Sequence, residues 1–167
     1  MAVPSSIYFL KYPLPLLGII VKTFSFSVLL AIIGMLLLLL VVAIVSAAES
    51  AFFSLTPTDM EELRTSGEKT DDKILTLIEG PKRLLATLLI SVNFINIAIV
   101  ILSNFVIDEL FDFSSNPLVG FIIQVVAITF LILLIGEVTP KIYATQNPLR
   151  TSRLLIFFVQ ILQRIFY

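Results

Sequence analysis

The chain has 167 residues, of which 58% are hydrophobic and 14% charged, and its mean hydropathy is +1.06. A soluble domain carries roughly a quarter of its residues as charges, so too few polar residues are present to cover a water-facing surface. The formal net charge of −1 gives no basic balance for nucleic acid, and the absence of Cys and His excludes disulfides, thiolate sites, imidazole ligands and serine-type triads.

Residues 6–22 hold Pro13, Pro15 and Gly18 among apolar side chains, too short and too broken to span a bilayer. They read as an interfacial or partly re-entrant segment. A signal peptide is the competing reading, weakened by the missing charged n-region. Three charge-free runs follow: 26 residues between Lys22 and Glu49, 24 between Arg83 and Asp108, and 24 between Asp112 and Glu137. Each exceeds the roughly 20 residues that cross a hydrocarbon core, and with no water there each must be helical.

Between the first two runs lies a polar stretch, residues 57–83. Thr56 or Thr58 can cap a helix that has Pro57 at its start and Glu61 and Glu62 in its early turns, with Gly67 ending it. A second, amphipathic helix is expected from about Asp71 to Glu79, stopped by Gly80-Pro81. The pair forms a helical hairpin on the membrane surface, against the alternative of a solvated linker. After the third run, residues 154–167 are apolar but interrupted by Gln160 and Arg164, which fits a juxtamembrane helix. The predicted fold is an all-α membrane protein: three transmembrane helices, a cytoplasmic helical hairpin and a juxtamembrane helix. Its divisions are residues 1–22, 23–150 and 151–167.

Lys and Arg cluster in the hairpin (Arg64, Lys69, Lys73, Lys82, Arg83) and after the third span (Lys141, Arg150, Arg153, Arg164), whereas the connection carrying Asp108, Glu109 and Asp112 has none. The positive-inside rule then places the N-terminus outside and the C-terminus in the cytoplasm.

Ionisable and amide side chains are costly at membrane depth, so they mark candidate sites. Ser46-Ala47-Ala48-Glu49-Ser50-Ala51 ends the first run; its small residues allow close helix approach, and Ser46 and Glu49 share a face. Ser91-Val92-Asn93-Phe94-Ile95-Asn96 lies in the second, with two Asn three apart; their carbonyls are either hard-cation ligands or interhelical hydrogen-bonding groups. Asn104, nearer the outer end, reads as an interface residue. Gly136-Glu137-Val138-Thr139-Pro140-Lys141 ends the third, where Pro140 is expected to break the helix and free carbonyls, and Lys141 to neutralise Glu137 or snorkel. Brought together, Ser46, Asn93, Asn96 and Glu137 make an oxygen-only pocket suited to a hard cation, with Glu49, Ser91, Gly136, Pro140 and Lys141 in support.

These three clusters, the hairpin ending at Pro81 and Ser54-Leu55 after the first resemble the transmembrane (DUF21) domain of the CorC/CNNM magnesium-transporter family over about residues 25–150. The resemblance implies a homodimer with three spans per subunit in a bacterial inner membrane. It also implies Mg²⁺ held by Ser46, Asn96 and a carbonyl around Tyr143, with Glu137 balancing charge. Export, with Na⁺ as coupling ion, and no enzymatic activity are implied too, as are cytoplasmic CBS modules beyond Tyr167. The chain departs from the family where an Asn is usual and Val92 stands; Asn93, one place on, reaches the site only through a local distortion such as a π-bulge. Ser91 replaces a usual Gly and Ala48 a second Ser. The departure at Val92 supports a second reading, a non-transporting membrane subunit with a membrane or secretion-system partner. In that reading Phe94 to Ile97 is similar to gliding-motility relatives in Bacteroidetes.

Overall fold

The computed structural model describes Ile20–Val21 and residues 25–114 and 116–166. The expected interfacial segment over residues 6–22 lies outside them apart from Ile20–Val21 (β1), which pairs antiparallel with Phe111–Asp112 (β2), Ile20 opposite Asp112. That short pairing is the one departure from an all-α architecture among the described residues.

Three apolar helices are long enough to cross a membrane: α1 (Phe26–Phe53), α4 (Pro81–Leu110) and the composite third span, Pro117–Gln146. The third is α5 (Pro117–Leu131), a π-helical segment (Ile132–Val138) and α6 (Thr139–Gln146) in series. Only 28%, 39% and 17% of the most apolar windows of the three are buried. Side chains such as Leu36, Leu37, Leu40, Phe121 and Phe130 point outward, a surface that hydrocarbon and not water can solvate. Leu39, Val42 and Val45 of α1 pack with Leu88, Ile95 and Ile99 of α4 and with Ile128 and Ile132 of the third span.

Below the bundle, the hairpin forms as the punctuation of the sequence requires. Thr56 is the N-cap of α2 (Pro57–Thr65). Its hydroxyl accepts from the Asp59 N–H at 3.2 Å, while the Asp59 carboxylate accepts from the Thr56 N–H at 2.8 Å. This reciprocal cap selects Thr56 over Thr58. Gly67 follows with φ +67, the left-handed conformation that only glycine adopts cheaply. Then α3 (Lys69–Glu79) buries Ile74 and Leu77 and ends at Gly80. The juxtamembrane helix α7 (Pro148–Phe166) starts three residues ahead of the expected boundary and buries Ile156, Val159 and Leu162 against the same core.

Candidate intramembrane polar site

One face of α1 runs along the lower third span. Val42 lies so close to Gly136 that a Cβ there would sit 2.8 Å from Val42 Cγ1. Ala47 and Ala51 pack on Ala144 of α6. The residues 42, 43, 46, 47, 50 and 51 form one i, i+4 stripe of mostly small side chains, the kind that lets helix backbones meet in a membrane. Ser46 lies on that stripe between the Gly136 and Ala144 contacts. It is fully buried, and its hydroxyl has no partner among the described residues.

The third span is distorted at this level. The Thr139 N–H and its hydroxyl both donate to the Leu134 carbonyl, the latter at 2.7 Å, an i to i−5 pattern. Pro140 has no N–H to give, so the widened turn leaves carbonyl capacity around Ile135 and Gly136 without its intrahelical donor. The helix is not broken at Pro140, contrary to expectation. It passes through as α6, because the π-turn places the missing donor where the spiral is already widened. The second span, where only a local distortion would bring in Asn93, is α-helical over Pro81–Leu110, and the π-helical turn lies in the third.

Here α4 and the third span are joined by one polar contact: Asn96 Nδ2 donates to Glu137 Oε1 at 3.2 Å. Since the amide nitrogen is committed to Glu137, the other end of the amide, Oδ1, faces inward; it is buried and has no partner among the described residues. An acceptor left unmade away from water costs about 1–3 kcal/mol, so a ligand that takes it is favoured. Asn96 and Glu137 are thus brought together, and Ser46 is held against the same segment. No group of three or more acidic side chains that could hold a metal occurs among the described residues, so any cation here is held chiefly by neutral oxygens.

Asn93 is not brought in. It is exposed on the outer face of α4, and its Nδ2 donates back to the Leu89 carbonyl at 2.9 Å. Positions three apart differ by about 60° in direction on a regular helix, enough to turn one Asn toward the third span and leave the other on the exposed face of α4. Among the supporting residues, Ser91 is fully buried but satisfied by the Thr87 carbonyl at 2.7 Å, and Gly136 provides the close approach to Val42. Lys141 pairs with Glu49 at 3.0 Å and leaves Glu137 uncompensated by a cation at contact distance among the described residues. Asn104 accepts from Gln124 Nε2 at 2.6 Å, an interhelical bond toward the opposite end of the spans.

A second polar centre lies outside the spans. Asp71, fully buried on α3, accepts from Arg153 of α7 twice, from Nε at 2.9 Å and Nη2 at 2.7 Å, and Arg153 Nη1 reaches Glu62 of α2 at 3.1 Å. The guanidinium hydrogen bonds hold the Asp71 carboxyl below the usual carboxylate range against the opposing effect of burial, with the Ser66 side chain adding to the lowering. Sequence reading missed this pair. The available signal was a carboxylate on the apolar stripe Asp71, Ile74, Leu77 of an amphipathic helix, which needs a buried partner.

Residues 32–167 match the family model described as the cyclin M transmembrane N-terminal domain. No curated protein matches the chain.

Proposed function

Because the chain belongs to the cyclin M (CNNM) transmembrane-domain family, we propose that it is a Mg²⁺ carrier or its membrane domain, binding the ion between α1, α4 and the π-helical segment. The observation that carries this reading is the buried, unpartnered Oδ1 of Asn96 beside Glu137, with the unpartnered Ser46 hydroxyl on the facing stripe. Mg²⁺ prefers oxygen, demands near-octahedral geometry and keeps several waters, so two or three protein oxygens and a π-turn carbonyl suit it. Ser46 and Asn96 ligate, Glu137 supplies the one nearby negative charge and holds the amide in orientation, and Pro140 with Gly136 shapes the turn. A single carboxylate against a divalent ion gives the modest affinity that release on the far side requires. The working cycle is alternating access with Na⁺ as coupling ion, in a homodimer and not an enzyme. Mg²⁺ leaves a bacterial cytoplasm through the inner membrane, with the hairpin and α7 on the cytoplasmic side as the Lys and Arg distribution favours, and cytoplasmic CBS modules regulate it.

Thermal unfolding in detergent tests the pocket, with Mg²⁺ titrated against EDTA and Na⁺ as a separate series. A ligand of the folded state adds about 2.7 kcal/mol at a hundred times its dissociation constant. A saturable Mg²⁺ shift that Asn96→Ala and Glu137→Gln each abolish is the expected result. A shift that survives both substitutions sinks the assignment.

The outward Asn93 and the apolar Val92 remove oxygens from the wall of the site, and this favours a second reading: a membrane subunit that anchors a gliding-motility or secretion partner and moves no ion. Stable co-purification of such a partner, indifferent to Mg²⁺ and EDTA, separates it from the first.

A further inference from the structure

A cleft of about 620 Å³ opens where α3, the start of α4 and the end of α7 meet. Its polar lining comes from three helix faces: Lys73 and Thr76 at i, i+3 on α3; Arg83 at the first turn of α4; and Gln160, Gln163 and Arg164 at i, i+3, i+4 on α7. Among the described lining residues there are three cations and no carboxylate. Carboxamides and a hydroxyl between cations supply the hydrogen-bonding complement of a phosphate diester.

What lies above the cleft selects the source of that phosphate. Arg83 opens the second span, and the residues in line with it along the helix are Ile90, Phe94, Ile97 and Ile101, at i+7, i+11, i+14 and i+18. All four are exposed, by 50%, 64%, 60% and 67%. The track climbs roughly 27 Å from Arg83 to Ile101, close to the thickness of a hydrocarbon core. Phe166 of α7 meets Phe94 edge-on, ring centroids 6.2 Å apart, and so sets the end of α7 beside the middle of the track. A cationic seat at the end of a span, continuous with an exposed apolar stripe along that span, has the two-part chemistry of a lipid.

The geometry points to a binding site for an anionic phospholipid, its phosphate between Lys73, Arg83 and Arg164 and an acyl chain along Ile90, Phe94 and Ile97. The lipid wedges α3 and α7 against the second span and so fixes the juxtamembrane helix to the bundle. The inference rests on membrane insertion and not on the ion pocket: a chain that moves no ion gives the same lipid result.

The test is thermal unfolding in detergent micelles doped with phosphatidylglycerol, with phosphatidylcholine or with water-soluble glycerol phosphate. Phosphatidylglycerol should stabilise saturably, and the other two should not. Each cation near a membrane surface is worth about fivefold in affinity for anionic lipid. Lys73→Gln/Arg83→Gln/Arg164→Gln should therefore raise the half-saturating lipid fraction by about a hundredfold. The equal-charge control Lys69→Gln/Lys82→Gln/Arg150→Gln removes exposed cations outside the cleft and should raise it clearly less than the cleft variant does. Equal loss in both triple variants would mean diffuse surface charge and overturn the site. Equal stabilisation by glycerol phosphate would mean a soluble anion, and equal stabilisation by phosphatidylcholine would mean apolar packing alone; either overturns the proposal. Should the triple variant not fold, Arg164→Gln alone carries the test: it must weaken phosphatidylglycerol binding about fivefold.

Discussion

The two polar centres of this molecule handle the same problem in opposite ways. In the surface latch the carboxylate of Asp71 is closed on by a two-pronged guanidinium, and the third prong of Arg153 takes Glu62. In the intramembrane site a single bond of 3.2 Å joins Asn96 to Glu137, and the Asn96 and Ser46 oxygens are left over. Saturation marks a joint that holds helices in place. Among the described residues, buried hydroxyls without a partner also occur at Thr87, Thr151 and Ser152, so what sets the intramembrane site apart is that its spare oxygens accompany a carboxylate within a span. The difference is energetic as well as geometric, and it can be attacked from either side.

The largest effect is expected at the latch. Arg153→Ala strands a fully buried carboxylate, and removing one partner of a buried pair costs about 3 kcal/mol. Thermal or denaturant unfolding should show that loss whether or not Mg²⁺ is present. The latch also predicts an acid limit. The Asp71 carboxyl is depressed in the folded state, so its contribution is complete above the unfolded value of about 3.9 and is lost as pH falls through the lower folded value. Stability measured down through this window should fall in the parent protein, and Asp71→Asn should flatten that part of the profile.

Next in size is the floor of the ion site. Gly136→Ala would push a methyl to 2.8 Å from the buried, β-branched Val42, an overpacking cost of about 1–3 kcal/mol. Val42→Ala in the same chain should recover most of it, since residues in contact couple. If Gly136→Ala proves silent alone, the close approach of α1 to the π-segment is wrong. A smaller effect of opposite sign is expected inside the pocket. Replacing both members of an imperfectly satisfied pair by apolar groups is neutral or stabilising. Asn96→Leu/Glu137→Met should therefore raise stability in EDTA by about 1 kcal/mol while losing every response to Mg²⁺.

Much of this architecture was legible because charge spacing alone marks membrane helices, and because Thr56-Pro57, Gly67 and Gly80-Pro81 punctuate the hairpin by local chemistry. Asn96 and Glu137 were legible as polar groups at costly depth. What escaped was whatever depends on residues distant in sequence. Asp71 and Arg153 are 82 positions apart, and nothing in either neighbourhood specifies the other. Lys141 has a nearer carboxylate in sequence at Glu137, yet it pairs with Glu49 across the helix interface. The π-turn was invisible for a different reason: Gly136 and Pro140 signal that a helix is under strain without saying whether it breaks, kinks or widens.

The smallest predicted effect discriminates most sharply between a pocket read by spacing and one read by direction. Asn93 and Asn96 are the same residue type, three positions apart, at nearly the same depth. Asn93 spends its amide on the Leu89 carbonyl at the exposed face of α4, whereas the Asn96 oxygen is buried. Asn93→Ala should therefore change stability by no more than about 0.5 kcal/mol, the usual scale for a surface position. The Mg²⁺-induced shift should be unaltered. Asn96→Ala in the same assay should erase that shift. If the two variants instead lose Mg²⁺ response together, α4 rotates or widens when the ion enters, and the second span carries a distortion of its own in the bound state. Equal indifference of the two, with stability otherwise intact, would overturn the ion site and favour the subunit that moves no ion.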